Sequence, residues 1–198
     1  MAKIDNQYFP LTPGTTFIYE GQEEGSTQKT EVYVSHKTKK MLGVTCIEVS
    51  DNVSLGGTLA EATLDWYAQD RDGNVWYFGE DSKEYENGQV VSTAGSWEAG
   101  VHGAKPGIVM EADPKVGDSY RQEYYKGEAE DMADVLSLNE STTVLYGSFN
   151  NCLKTKDYTA LEPGVSENKY FAPGVGNILT VMVEGGSEQS ELVSITTE

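Results

Sequence analysis

From Leu59 to Gln69 the chain reads LAEATLDWYAQ, with Ala62, Leu64, Trp66 and Ala68 at one parity and Thr63, Asp65, Tyr67 and Gln69 at the other. A period of two is that of a β-strand, and the apolar parity predicts one face on a core. The same texture recurs along the chain. A strand is predicted from about Thr15 within YFPLTPGTTFIYEG, and KTEVYVSH and KKMLGVTCIEVSD read as the next two. DRDG then joins LDWYAQ to NVWYFGE, and ENGQ joins SKEY to QVVS; Asn-Gly is a strong hairpin signal because both central residues take positive φ. Two consecutive hairpins follow.

Residues 94–115, AGSWEAGVHGAKPGIVMEADPK, carry little pattern and are expected to form a long Gly/Pro-rich loop with one short strand at GIVM. DSYRQEYYKG resumes strand character. In residues 128–138, EAEDMADVLSL, Ala129, Met132, Ala133 and Leu136 fit a helical face. The segment nevertheless runs without Gly or Pro into the β-branched and aromatic NESTTVLYGSFNNCLKTKDYTAL, so strand is the reading, with a helical turn as alternative. SENKYFAPGVGNILTVMVEGG and SELVSITTE complete the pattern. The expectation is an all-β single domain over 1–198, an antiparallel meander of about ten to twelve strands with little helix, whose closure into a barrel or half-barrel removes exposed edges. In general architecture this is lipocalin-like.

Charge narrows the partners. Lys plus Arg number 14 against 32 Asp plus Glu, a formal net charge of −18, which repels the phosphate backbone of nucleic acids and anionic membrane surfaces. A cation or a small-molecule ligand remains suited, and the oligomeric state is left open. With 12 Tyr, 5 Phe and 3 Trp the chain has the large apolar surfaces that a disordered acidic chain lacks. No run approaches the roughly 18 apolar residues of a membrane span, and MAKIDNQYFP has no apolar signal core. The chain is expected to be soluble, and the lead MA before a strand suits a mature exported protein preceded by an added start. Cys46 and Cys152 lie far apart in strand-like runs; a disulfide between them and two separate buried thiols are both open.

Three segments, YFPLTPGTTFIYEG, TTVLYGSFNNCLKTK and KYFAPGVGNI, together resemble a set of uncharacterised bacterial exported proteins and lipoproteins. Those chains open on a Phe-Pro-Leu strand and close on an aromatic, Ala-Pro-Gly-Val-Gly segment. The resemblance implies an exported, antiparallel β-rich barrel or half-barrel, located in the periplasm, at the cell surface or outside the cell. It implies no activity, and it does not reach residues 65–134.

Candidate chemistry is sparse. Asp70, Asp72 and Asn74 alternate oxygen ligands as calcium loops do, with Glu80, and more loosely Asp81 and Glu84, able to complete a site. Gly73 falls at the fourth position, whereas an EF-hand has its glycine at position six, and Asp, Asn and Gly are also what a plain turn requires. Calcium is the single candidate cofactor. Glu123, Glu128, Glu130, Asp131 and Asp134 form a second acidic cluster in which Arg121 is placed for a cross-strand ion pair. His36 and His102 lack the convergent partners of a transition-metal site. No nucleophile elbow or phosphate-binding glycine loop is present.

The aromatics carry the leading functional expectation, a non-catalytic module binding a small, partly apolar ligand in an aromatic-lined barrel mouth. Trp66, Tyr77, Trp97 and Tyr124 would supply apolar contact, with Glu98, His102 and Arg121 as polar handles. The alternatives are a calcium-stabilised extracellular structural or adhesion protein using Asp70, Asp72, Asn74 and Glu80, and an enzyme using Glu98, Glu123 or His102.

Overall fold

β-Branched and aromatic residues fill the runs between glycine-marked turns, and extended backbone is the state in which such side chains pack. The computed structural model describes residues 3–23 and 25–198, and no helix occurs among them. Its first strands are β1 (Ile4–Asp5), β2 (Pro10–Leu11), β3 (Thr15–Glu23), β4 (Ser26–Met41), β5 (Val44–Leu55) and β6 (Thr58–Gln69). Next come β7 (Val75–Glu86), β8 (Gln89–Ser92), β9 (Trp97–Glu98), β10 (Lys105–Met110), β11 (Ser119–Arg121) and β12 (Glu123–Tyr124). The last five are β13 (Asp131–Val144), β14 (Gly147–Thr159), β15 (Ser166–Ala172), β16 (Gly176–Glu184) and β17 (Gln189–Thr197).

Fifteen of these form one antiparallel sheet in the order β11-β13-β14-β15-β16-β17-β3-β4-β5-β6-β7-β10-β12, with β8 and β9 attached to β7. The two ends of that path are consecutive in sequence. Residues 119–124 pair with β13 through β11 and with β10 through β12, and between them the Gln122 N–H donates to the Asp131 carbonyl at 2.8 Å. One segment thus bridges both edges and nearly closes the barrel, as the need to satisfy edge hydrogen bonds predicts. Gly107 permits the seam, because a Cβ there would collide with the Gln122 carbonyl.

The strands number 17, more than the ten to twelve expected, because short pieces that lack a periodic signature become strands once a neighbour supplies hydrogen bonds. Residues 94–115 are therefore not one loop: they contain β9 and β10, the latter covering the predicted GIVM strand and pairing with both β7 and β12. Residues 131–144 are strand, the reading preferred over helix. The Asn87-Gly88 hairpin takes positive φ at both positions, 52° and 75°. One boundary moves: the turn between β4 and β5 is at Leu42-Gly43, φ 48° and 83°, inside a stretch expected to be one strand. Leucine carries no turn signal, so periodicity ran straight through it.

The β1–β2 hairpin closes one end of the barrel. Ile4 and Leu11 enter the main core, Asn6 Nδ2 donates to the carbonyls of Gly73 and Glu111 at 3.0 Å each, and the Gly174 N–H donates to Gln7. Toward the other end Glu23, Gln28, Val53 and Glu61 border the lumen with Gly185 and Glu188 of the β16–β17 connection. Cys152 belongs to the main core, whereas Cys46 lies in a second cluster with Trp66, Tyr77, Phe78 and Trp97; both thiols are free.

Candidate functional site

The polar parity of β6 explains the interior. One face of this strand is expected on a core, yet both are covered: Trp66 and Ala68 pack beneath the segment carrying β9, while Asp65, only 7% exposed, points with Glu61 and Tyr67 into the barrel. Barrel closure turns the polar face inward, and neighbouring strands add their own alternate residues. The result is a lumen of about 900 Å³. Phe9, Pro10 and Leu11 form its floor together with Phe17, Tyr67 and Val175, and Thr30, Asn177 and Thr180 lie on its wall. The ring of Phe9 meets that of Tyr67 edge-on at 5.4 Å, and Tyr67 stacks on Tyr77 at 4.7 Å.

Among the described residues, seven carboxylates line this space, Glu23, Asp51, Glu61, Asp65, Asp131, Glu167 and Glu188, against one cation, Lys169. Lys169 is already engaged, its Nζ lying 2.9 Å from Glu167 Oε1 and 3.2 Å from Asp157 Oδ2. Burial alone would lower its pKa, but Glu167 and Asp157 outweigh it and hold it well above the ordinary value. The carboxylates pay for enclosure in the opposite sense. Burial, reinforced by Glu61 and only partly relieved by Lys169, pushes Asp51 up to about 7. Burial also raises Asp65 well above its usual range despite the hydrogen bond from Tyr77 Oη at 2.5 Å, and lifts Asp131. Asp51 Oδ1 is buried without any hydrogen-bond donor.

Several residues selected from sequence converge elsewhere. Trp66, Trp97, Glu98, His102 and Glu80 line a smaller cleft of about 370 Å³ with Lys39 and Tyr125. There Lys39 Nζ sits 3.5 Å from the Trp66 ring centre and 2.8 Å from Glu98 Oε2, so the cleft is partly filled by its own ion pair. Tyr77 is core, edge-on to Trp97 at 5.4 Å, and its hydroxyl, which donates to Asp65, also lies 3.0 Å from Glu80 Oε2. Burial raises Glu80 to about 7. Arg121 and Tyr124 form a separate pair at the seam, guanidinium over ring at 4.4 Å, and Arg121 also lies 3.8 Å from Glu130, a member of the acidic cluster that sits just ahead of β13 rather than on it. Glu123 accepts from Trp97 Nε1 at 3.4 Å and is pushed by burial to about 9. Glu98, Glu123 and His102, the enzymatic alternative, are not gathered around one cavity: Glu123 does not line the cleft that holds the other two.

Asp70, Asp72 and Asn74 form the β6–β7 turn. Asp70 Oδ1 accepts from the N–H groups of Asp72 and Asn74, and its Oδ2 accepts from Asn74 Nδ2 and Trp76 Nε1, all between 2.8 and 3.0 Å. Partial burial raises its pKa, yet these donors outweigh it and the net shift is downward. Asn74 Oδ1 is taken by the Ala112 N–H at 2.9 Å. Glu80 is not beside them, lying five residues beyond Val75 along β7, roughly 16 Å at the usual strand rise. Among the described residues no group of three or more His, Cys, Asp or Glu is disposed to hold a metal ion.

The lumen residues Asp51, Glu61, Asp65, Tyr67, Asp131 and Lys169 were not selected as site residues from sequence. Their signal was present as polar side chains two apart, Glu61, Thr63 and Asp65, but alternation alone reads such a face as solvated.

No family model matches the chain. No curated protein matches it either. Two solved structures resemble it over nearly their whole lengths. A candidate exported protein with a YmcC-like fold from Bacteroides fragilis NCTC 9343 is 14% identical, with a TM-score of 0.54 over 97% of this chain and 100% of that one. A candidate lipoprotein from Parabacteroides distasonis ATCC 8503 is 12% identical, with a TM-score of 0.45 over 96% and 99%. The first likeness is one of fold, and it defines the class: an all-β, antiparallel, nearly closed barrel of the YmcC-like kind. No helix among the described residues is long and apolar enough to cross a membrane.

Proposed function

We propose that the protein is a non-catalytic binding module that takes a small, partly apolar ligand into the barrel lumen. The observation that carries this reading is the lumen itself, about 900 Å³, floored by aromatic and aliphatic side chains, walled by polar ones and open at one end. Ligand sites in small barrels have this form and this range of size. The smaller cleft at Trp66 and Trp97 is a weaker host, because Lys39 and Glu98 already satisfy each other there. The module works in an exported setting, secreted, periplasmic or at the cell surface. The resemblance of its terminal segments supports this, and the fold neighbour from Bacteroides fragilis is itself described as exported.

The test is an NMR screen of small amphipathic molecules against the isotopically labelled protein. Amide shifts clustered at Thr30, Tyr67 and Thr180 are expected, and Thr180→Trp, which projects an indole into the lumen, should weaken binding while leaving the fold intact. Shifts that map outside the lumen, or an affinity unchanged in Thr180→Trp, would refute the reading.

A further inference from the structure

Resting on that reading, we infer that the ligand is a small organic amine whose ammonium group is received by the lumen wall at Asp51, beside Glu61 and Asp65. Three observations converge on this chemistry. The cavity opens at one end and its charge is one-sided, with Lys169 the one cation among the described lining residues and that cation already held by Glu167 and Asp157. Asp51 lines the lumen, and its Oδ1 has no donor from the protein, a state that costs free energy unless a partner arrives. Tyr67 and Tyr19 line the same space and offer apolar contact to the hydrocarbon part of an amine.

The groups facing Asp51 reinforce the choice. Glu61 acts with burial to push its carboxyl upward, and Asp51 in turn raises Asp65 and Tyr19. A cation placed among them relieves the repulsion between Asp51 and the neighbouring carboxyls, whereas an anion adds to it and a neutral group leaves it in place. An organic ammonium fits better than a bare metal ion, since the described carboxylates do not gather into a set of three metal-binding groups. Enclosure by aromatic rings also rewards the hydrocarbon part of an amine. The volume selects a small molecule over a protein side chain reaching in from outside.

The experiment compares 2-phenylethylamine, 2-phenylethanol and 3-phenylpropanoate, similar in size and differing in charge, by NMR titration of the full chain at pH 7.5. Calcium chloride is titrated separately. The amine should bind at least ten-fold tighter than the alcohol, with the carboxylate weakest. Asp51→Asn should bring amine and alcohol within three-fold of each other. Glu61→Gln, which keeps the oxygen that accepts from Thr63 and Ser82, serves as the second variant should the first not fold, with a smaller loss in the same direction. Equal binding of the alcohol or the acid would overturn the amine assignment and leave the lumen as a site. No binding by any of the three would overturn both. Calcium shifts at Asp51 that compete with the amine would replace the assignment with a metal site.

Discussion

Asp70 and Asp51 are both aspartates, and their surroundings give them opposite work. Asp70 accepts from four donors in the β6–β7 turn, so its charge is solvated by the protein and the turn depends on it. Asp70→Ala is expected to destabilise by roughly 2–3 kcal/mol, the cost of stranding several donors, read as a shift in the urea midpoint. Wild-type protein should unfold at the same temperature in EDTA and in millimolar calcium, because a turn whose oxygens already have partners gains little from a cation. Asp51 has the opposite problem, a buried oxygen with no donor. In the ligand-free protein Asp51→Asn should therefore raise stability by about 1 kcal/mol at pH 8, measured by thermal unfolding, since the amide removes an uncompensated charge. A fall in stability would show that Asp51 is paired in solution.

Among the elements, the seam is where the barrel is most sensitive. Residues 119–124 close the sheet, and Gly107 on β10 lies against the carbonyls of Arg121 and Gln122. Gly107→Ala should cost about 3 kcal/mol through overpacking against backbone that cannot retreat. Hydrogen exchange should show the loss concentrated at Lys105, Glu123 and Tyr124, with β4 and β5 protected as before; uniform loss would mean that the seam is not a separate unit. Strand existence was legible wherever periodicity was long, as in β6 and β14. It was not legible in β9, two residues inside the expected loop that are strand because β7 offers a partner, and the strand character read over DSYRQEYYKG did not show its division into β11 and β12, which pair with β13 and β10.

For the whole molecule, the enclosed carboxylates set the pH response. Asp51 and Glu80 are raised to about 7 and Glu123 to about 9, so over the range from their ordinary values upward the native state holds more protons than the unfolded chain. Their contribution to stability is full below about pH 4 and is lost as pH rises through 7 to 9. Asp5, Asp70 and Glu184, shifted downward, act in the opposite sense only at the acid end. The unfolding temperature should climb as pH is lowered from 9 to 5 and fall again in stronger acid, which a calorimetric pH series checks. A monotonic rise toward pH 9 would contradict the enclosure of these groups.

The sequence by itself determined that this is an antiparallel β protein, where its two Asp-Gly and Asn-Gly hairpins turn, that residues 128–138 lead into a strand, and that the chain repels polyanions. These are local properties, carried by side-chain period, turn chemistry and summed charge, and none of them depends on which strands become neighbours. Only the tertiary structure decided that residues 119–124 bridge both edges, that Cys46 and Cys152 sit in different clusters, and that the polar parity of β6 faces inward. Alternation marks two faces of a strand but carries no label for inside and outside. Closure of the sheet assigned that label, and it turned the carboxylates at Asp51, Glu61 and Asp65 from an apparent solvent face into the wall of a cavity.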